Sequence, residues 1–80
     1  MRGKRNKVKI LHKIHQIQKD NKIYVIFKTD DNRFAVCWGG DFASMDFLPL
    51  KYNSSPENGI RYHLTIDGAI RHLGNLIGTL

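Results

Sequence analysis

The sequence predicts an α+β fold, an antiparallel sheet of four or five strands packed by one C-terminal helix. Two observations lead to this prediction: two apolar, β-branched runs joined by a short polar turn in the first half, and a change of apolar period from two to about 3.6 near the C-terminus. Eighty residues of which 41% are hydrophobic make a single small domain, residues 1–80, near the lower size limit for folding without a disulfide, metal or partner.

The two apolar runs are residues 23–27 and 34–38, and both are rich in β-branched and aromatic side chains. Asp30-Asp31-Asn32 lies between them, and Asp and Asn favour turns because they tolerate left-handed backbone and bond to nearby amides. This pattern predicts a β-hairpin.

The segment before the hairpin fits two structures. Val8, Ile10 and Ile14 alternate as in a strand, whereas Ile10, Ile14 and Ile17 also fit one face of a helix. The β-branched content and the turn residues after Lys19 favour a strand, which would complete an N-terminal meander of three strands. The helix remains the alternative.

The segment 41–56 has no clean apolar period, and Pro49 is incompatible with a central strand. We expect a loop or short helical turn here, followed by an edge strand through Leu50 and Tyr52. Next, the alternation of Ile60, Tyr62, Leu64 and Ile66 with polar residues predicts a half-buried strand.

The period changes at Asp67, which is available as the N-cap of a helix. Three glycines weaken this helix by about 1 kcal/mol each relative to Ala, so packing on the sheet must hold it. Its apolar face is expected to pack on Tyr62, Leu64 or Val25. The residues of that face are Ile70, Leu73, Ile77 and Leu80.

Positive charge is concentrated at the N-terminus. Residues 1–22 contain eight of the thirteen Lys and Arg and one acid, a net charge of +7, whereas the remaining residues have a net charge of −1. A local positive field attracts phosphate backbones, anionic lipid or acidic protein surfaces. No apolar run approaches the ~18 residues of a membrane span, and no secretory leader pattern follows the basic start. We therefore expect a cytoplasmic protein that does not engage membranes.

The residues that catalysis would need are few. Cys37 lies inside an apolar strand, where a free cysteine is usually a small buried hydrophobe. It shares a strand face with Ala35, and this small pair is expected beneath the helix. His12 and His15 have metal-type spacing on a helix, but no third ligand clusters with them. We expect a protein that is not an enzyme and has no metal, cofactor or small-molecule substrate.

The charge pattern favours a binding protein whose basic N-terminal arm, residues 1–7, and following lysines contact nucleic acid through phosphates. Tyr24, Phe34 or Trp38 would stack on bases if exposed. The alternative is a phage-type or accessory protein that binds a host protein or enzyme, one that handles nucleic acid for example, and inhibits or redirects it. The predicted phosphate-binding residues are Arg2, Lys4, Arg5, Lys7, Lys9 and Lys13.

Overall fold

A computed structural model describes residues 6–78 and confirms the α+β fold: a five-stranded antiparallel sheet with one C-terminal helix. The strands lie in the order β4-β1-β2-β3-β5, so the first three strands form the predicted meander. The elements are β1 (Lys7–Lys19), β2 (Lys22–Thr29), β3 (Phe34–Trp38), a 3-10 helix (Phe42–Ser44), β4 (Phe47–Pro49), β5 (Gly59–His63) and α1 (Ile66–Ile77).

The segment before the hairpin is the strand β1, as its β-branched residues predicted, and β1 is the longest strand in the described part of the chain. β1 connects to β2 through Asp20 and Asn21, both with positive φ, the signature of a two-residue turn whose twist matches the strands. The register of β1 against β2 shifts twice, between Ile10 and His12 and between Lys13 and His15. These irregularities change which face of the sheet successive β1 side chains occupy.

The predicted hairpin is formed by β2 and β3, whose pairing begins with Tyr24 opposite Trp38 and ends with Lys28 opposite Phe34. The four central residues of β2 are all buried, because both faces of the sheet are covered.

One face of the sheet curls around an apolar cluster. The 3-10 helix contributes Phe42 to it, and β4 contributes Leu48. The Tyr62 hydroxyl of β5 donates a hydrogen bond of 2.6 Å to the carbonyl oxygen of Pro49 in β4, so the two edge strands meet. The buried cluster consists of Val8, Val25, Phe27, Ala35, Cys37, Phe42, Leu48 and Ile60.

The other face is covered by α1. The Thr65 hydroxyl accepts a hydrogen bond of 3.1 Å from the Gly68 amide and caps the helix N-terminus. Gly78, with φ of 76°, caps the C-terminus by donating its amide to the Gly74 carbonyl at 3.0 Å. The buried residues of this helix-side cluster are Tyr24, Ile26, Val36, Trp38, Ala69 and Leu73.

Several expectations about the C-terminal half were wrong. The N-cap is Thr65, and Asp67 lies inside the first helical turn. β5 ends at His63, so Leu64 falls in the connection to α1 and is 81% exposed. Ile70 is 50% exposed, whereas Leu73 is buried as expected; Leu80 lies outside the described residues.

The face covered by α1 also differs from expectation. Tyr62 and Val25 belong to the opposite cluster, and so does Cys37, because the helix packs over Val36 and Trp38. The edge strand of the irregular segment is β4 at Phe47–Pro49, earlier than the expected strand through Leu50 and Tyr52.

Candidate nucleic-acid interface

Strand β1 is the basic element of the described structure. Lys7, Lys9 and Lys13 are exposed on it, and no acidic residue occurs between Lys7 and Lys19. Its 13 residues span at most about 40 Å at ~3.3 Å per residue. The other predicted phosphate-binding residues, Arg2, Lys4 and Arg5, lie outside the described residues.

The first residues of β1 pair with β4 and place two lysines beside an aromatic ring. Val8 and Leu48 face each other and are fully buried. Side chains alternate along strands, so the neighbouring pair, Lys9 opposite Phe47, lies on the outer face, as does Lys7. Phe47 is 50% exposed. These contacts place two cations beside an accessible ring. We call the three residues, Lys7, Lys9 and Phe47, the Lys9–Phe47 patch.

Two carboxylates border the Lys9–Phe47 patch. The Lys9 amide donates to Asp30 Oδ1 at 3.3 Å, and the Lys9 carbonyl accepts from the Asp30 amide at 2.9 Å. Asp46 precedes Phe47, and its carbonyl accepts from the Ile10 amide at 2.9 Å. Both carboxylates weaken the positive field of the patch.

Lys13 lies apart from this patch. It pairs with Phe27 across the β1–β2 ladder, on the face opposite to that of Lys9, and its Nζ donates to Gln16 Oε1 at 2.8 Å. The register shift between Ile10 and His12 lies between the two lysines and produces this change of face. Three of the predicted phosphate-binding residues lie within the described range. The structure places Lys7 and Lys9 on one face of the sheet and Lys13 on the other.

Two of the three aromatic residues considered for stacking do not meet the condition of exposure. Tyr24 and Trp38 are buried in the helix-side cluster, and Lys28 Nζ lies 4.7 Å from the centroid of the Phe34 ring. Sequence reasoning missed Phe47 because its exposure depends on the pairing of β4 with β1, which no local pattern reveals.

The residues considered for catalysis lie in two separate places, with Cys37 in the cluster opposite the helix and His63 in contact with His72 of α1. Cys37 is fully buried, and burial raises the pKa of its thiol to about 12. His63 Nε2 lies 3.0 Å from His72 Nδ1, and desolvation lowers the pKa of both imidazoles, with Arg61 opposing their protonation further. Within residues 6–78, no group of three His, Cys, Asp or Glu side chains is arranged to hold a metal ion.

The described part of the chain contains no helix long and apolar enough to cross a membrane. Comparison of the chain with known protein families, with curated protein sequences and with solved structures found no match.

Proposed function

We propose that this protein binds nucleic acid, with the Lys9–Phe47 patch as the described part of the contact surface. The observation that supports the proposal is the pairing of Lys9 with the half-exposed Phe47, with Lys7 on the same outer face. Lysines neutralise phosphates, and an accessible ring stacks on an unpaired base, so the combination suits single-stranded nucleic acid or an unpaired end better than a continuous duplex.

The two contributions of the patch differ in their expected size. Stacking of one base on an aromatic ring contributes about 1–3 kcal/mol. Each phosphate contact contributes a salt-dependent term, with a slope of about −0.7 in log K against log salt for single strands. Arg2, Lys4 and Arg5 precede the patch in sequence, and reversing their charge is expected to weaken binding to all nucleic-acid sequences alike.

The test is fluorescence anisotropy with a labelled single-stranded oligonucleotide at ~50 mM salt, followed by a salt titration. Phe47→Ala is expected to weaken binding about 5- to 150-fold, the equivalent of one lost stacking contact. Lys9→Gln is expected to make the salt slope shallower by about 0.7. Matched controls are Leu64→Ala and Arg71→Gln, which remove an exposed apolar and an exposed basic side chain elsewhere.

Circular dichroism and thermal melting establish that each variant is folded. Absence of binding by the unmodified protein at ~50 mM salt would contradict the proposed function. Equal losses in Phe47→Ala and Leu64→Ala would contradict the assignment to this patch.

A further inference from the structure

The C-terminal half of β1 and helix α1 form the walls of an apolar groove on the far side of the sheet from the buried Cys37. The groove encloses about 370 Å³. Leu73 and Ile26 are buried at its base, and Ile14 and Ile70 are 43% and 50% exposed. It is lined by Ile14, His15, Ile17, Ile26, Ile70, Leu73, Gly74 and Ile77.

The groove lies beside a strand edge that no described strand covers. On one side of β1, β4 pairs only with Lys7 to Lys9. On the other side, β2 pairs with Ile10 to Lys19. From His15 to Lys19 the register with β2 is unbroken, so this portion of β1 is regular. Its outward backbone groups are a template for an added strand about 17 Å long.

The charges around the edge favour an acidic partner. No carboxylate lines the groove. Lys19 Nζ donates to the Ile77 carbonyl at 2.6 Å, which fixes a cation at one end, and Lys13 lies before the regular portion on the other face. The nearest carboxylates in sequence are Asp20, in the turn after Lys19, and Asp67, in the first turn of α1.

We propose that this groove and strand edge bind an extended segment of another protein in which apolar and acidic residues alternate. Alternation follows from the sheet geometry, because Ile17 faces the groove whereas Gln16 and Gln18 lie on the opposite face. Apolar side chains of the segment would fill the groove, and its carboxylates would lie on the opposite face, which is the face of Lys13. This site is separate from the Lys9–Phe47 patch and specifies the protein-binding alternative that the sequence left open.

The experiment is a heteronuclear NMR titration of the full chain with an acetylated, amidated heptapeptide of alternating glutamate and valine. The expected result is saturable shifts at the amides of His15 to Lys19 and in α1. A lysine–valine peptide of the same length is expected to bind at least tenfold more weakly, because its charges oppose those of the edge.

Ile70→Glu tests the groove with little risk to folding, because this side chain is half-exposed. It is expected to weaken binding of the glutamate–valine peptide at least tenfold, whereas Leu64→Glu, at an exposed position outside the groove, leaves binding unchanged. Lys13→Gln is expected to weaken binding and to reduce its salt dependence, because Lys13 is on the face that receives the carboxylates.

Three results would overturn the proposal: no saturable shifts at millimolar peptide, equal binding of the two peptides, or a dimer in sedimentation that Ile70→Glu dissociates. The last would make a second copy the occupant. None of these results affects the nucleic-acid test, which uses residues at the other end of β1 and a different probe.

Discussion

Leu73 provides the sharpest test of how α1 is held on the sheet. It is 4% exposed, packs in the helix-side cluster and is one of the three buried residues of α1. The Leu→Ala substitution removes three buried side-chain carbons. At about 0.8 kcal/mol for each carbon, the lost transfer free energy is about 2.4 kcal/mol. The cavity contribution should be small, because the deleted atoms border an open groove that water can enter.

We therefore expect Leu73→Ala to lower the free energy of unfolding by about 2–3 kcal/mol. A domain of this size has a total of roughly 4–12 kcal/mol, so the variant should remain folded but be easily measured. The corresponding fall in Tm is about 10–20 °C, at 4–8 °C per kcal/mol for a domain of 60–100 residues.

The assay is urea unfolding followed by the fluorescence of Trp38, which belongs to the same cluster as Leu73. Ile70→Ala is the matched control, because Ile70 is on the same helix and is half-exposed. It should cost less than about 1 kcal/mol. Equal losses for the two variants, or a loss below about 1 kcal/mol for Leu73→Ala, would refute the packing argument.

Three further predictions concern groups inside the fold. Cys37 should react slowly with iodoacetamide at neutral pH, because burial raises its pKa to about 12; rapid labelling of the folded protein would contradict its burial. Burial lowers the pKa of His63 and His72 below 6.5 in the folded state, so the unfolded chain takes up protons more readily. The free energy of unfolding should therefore be highest above pH 6.5 and fall as the pH drops from 6.5 towards the lowered pKa values. Melting curves at pH 7.5 and 5.5 check this, and His72→Gln should reduce the pH dependence. Tyr62→Phe removes the hydrogen bond to Pro49 and should cost about 0.5–1.5 kcal/mol in urea unfolding, with an unchanged midpoint contradicting its role.

The elements that the sequence predicted are those encoded by neighbouring residues. The β2–β3 hairpin follows from the turn at Asp30 to Asn32, where Asn32 adopts the positive φ that this residue type tolerates. The end of β5 was harder to place because Leu64 and Ile66 fit both the strand period and the helix period. Thr65, a good N-cap residue between them, was the signal that separates the two.

The face covered by α1 was not predictable from local pattern. Tyr24, Val25, Ile26 and Phe27 are all apolar and all buried, so alternation does not distinguish the helix side from the curled side of the sheet. Likewise, Phe47 joins the candidate interface through pairing with Lys9, a residue far away in sequence. Such non-local contacts depend on the topology of the whole chain.

The division of β1 between two partners has a kinetic consequence. Ile10 to Lys19 pair with β2 through a two-residue turn, whereas Lys7 to Lys9 pair with the three-residue strand β4 only after the intervening chain has closed a long loop. Short ladders that close long loops form late and open readily in the native state. The amides of β4 should therefore exchange hydrogen sooner than those of the central β2 strand. A ligand held by Lys9 and Phe47 together would bridge this seam, and its binding would appear as slower exchange at Leu48.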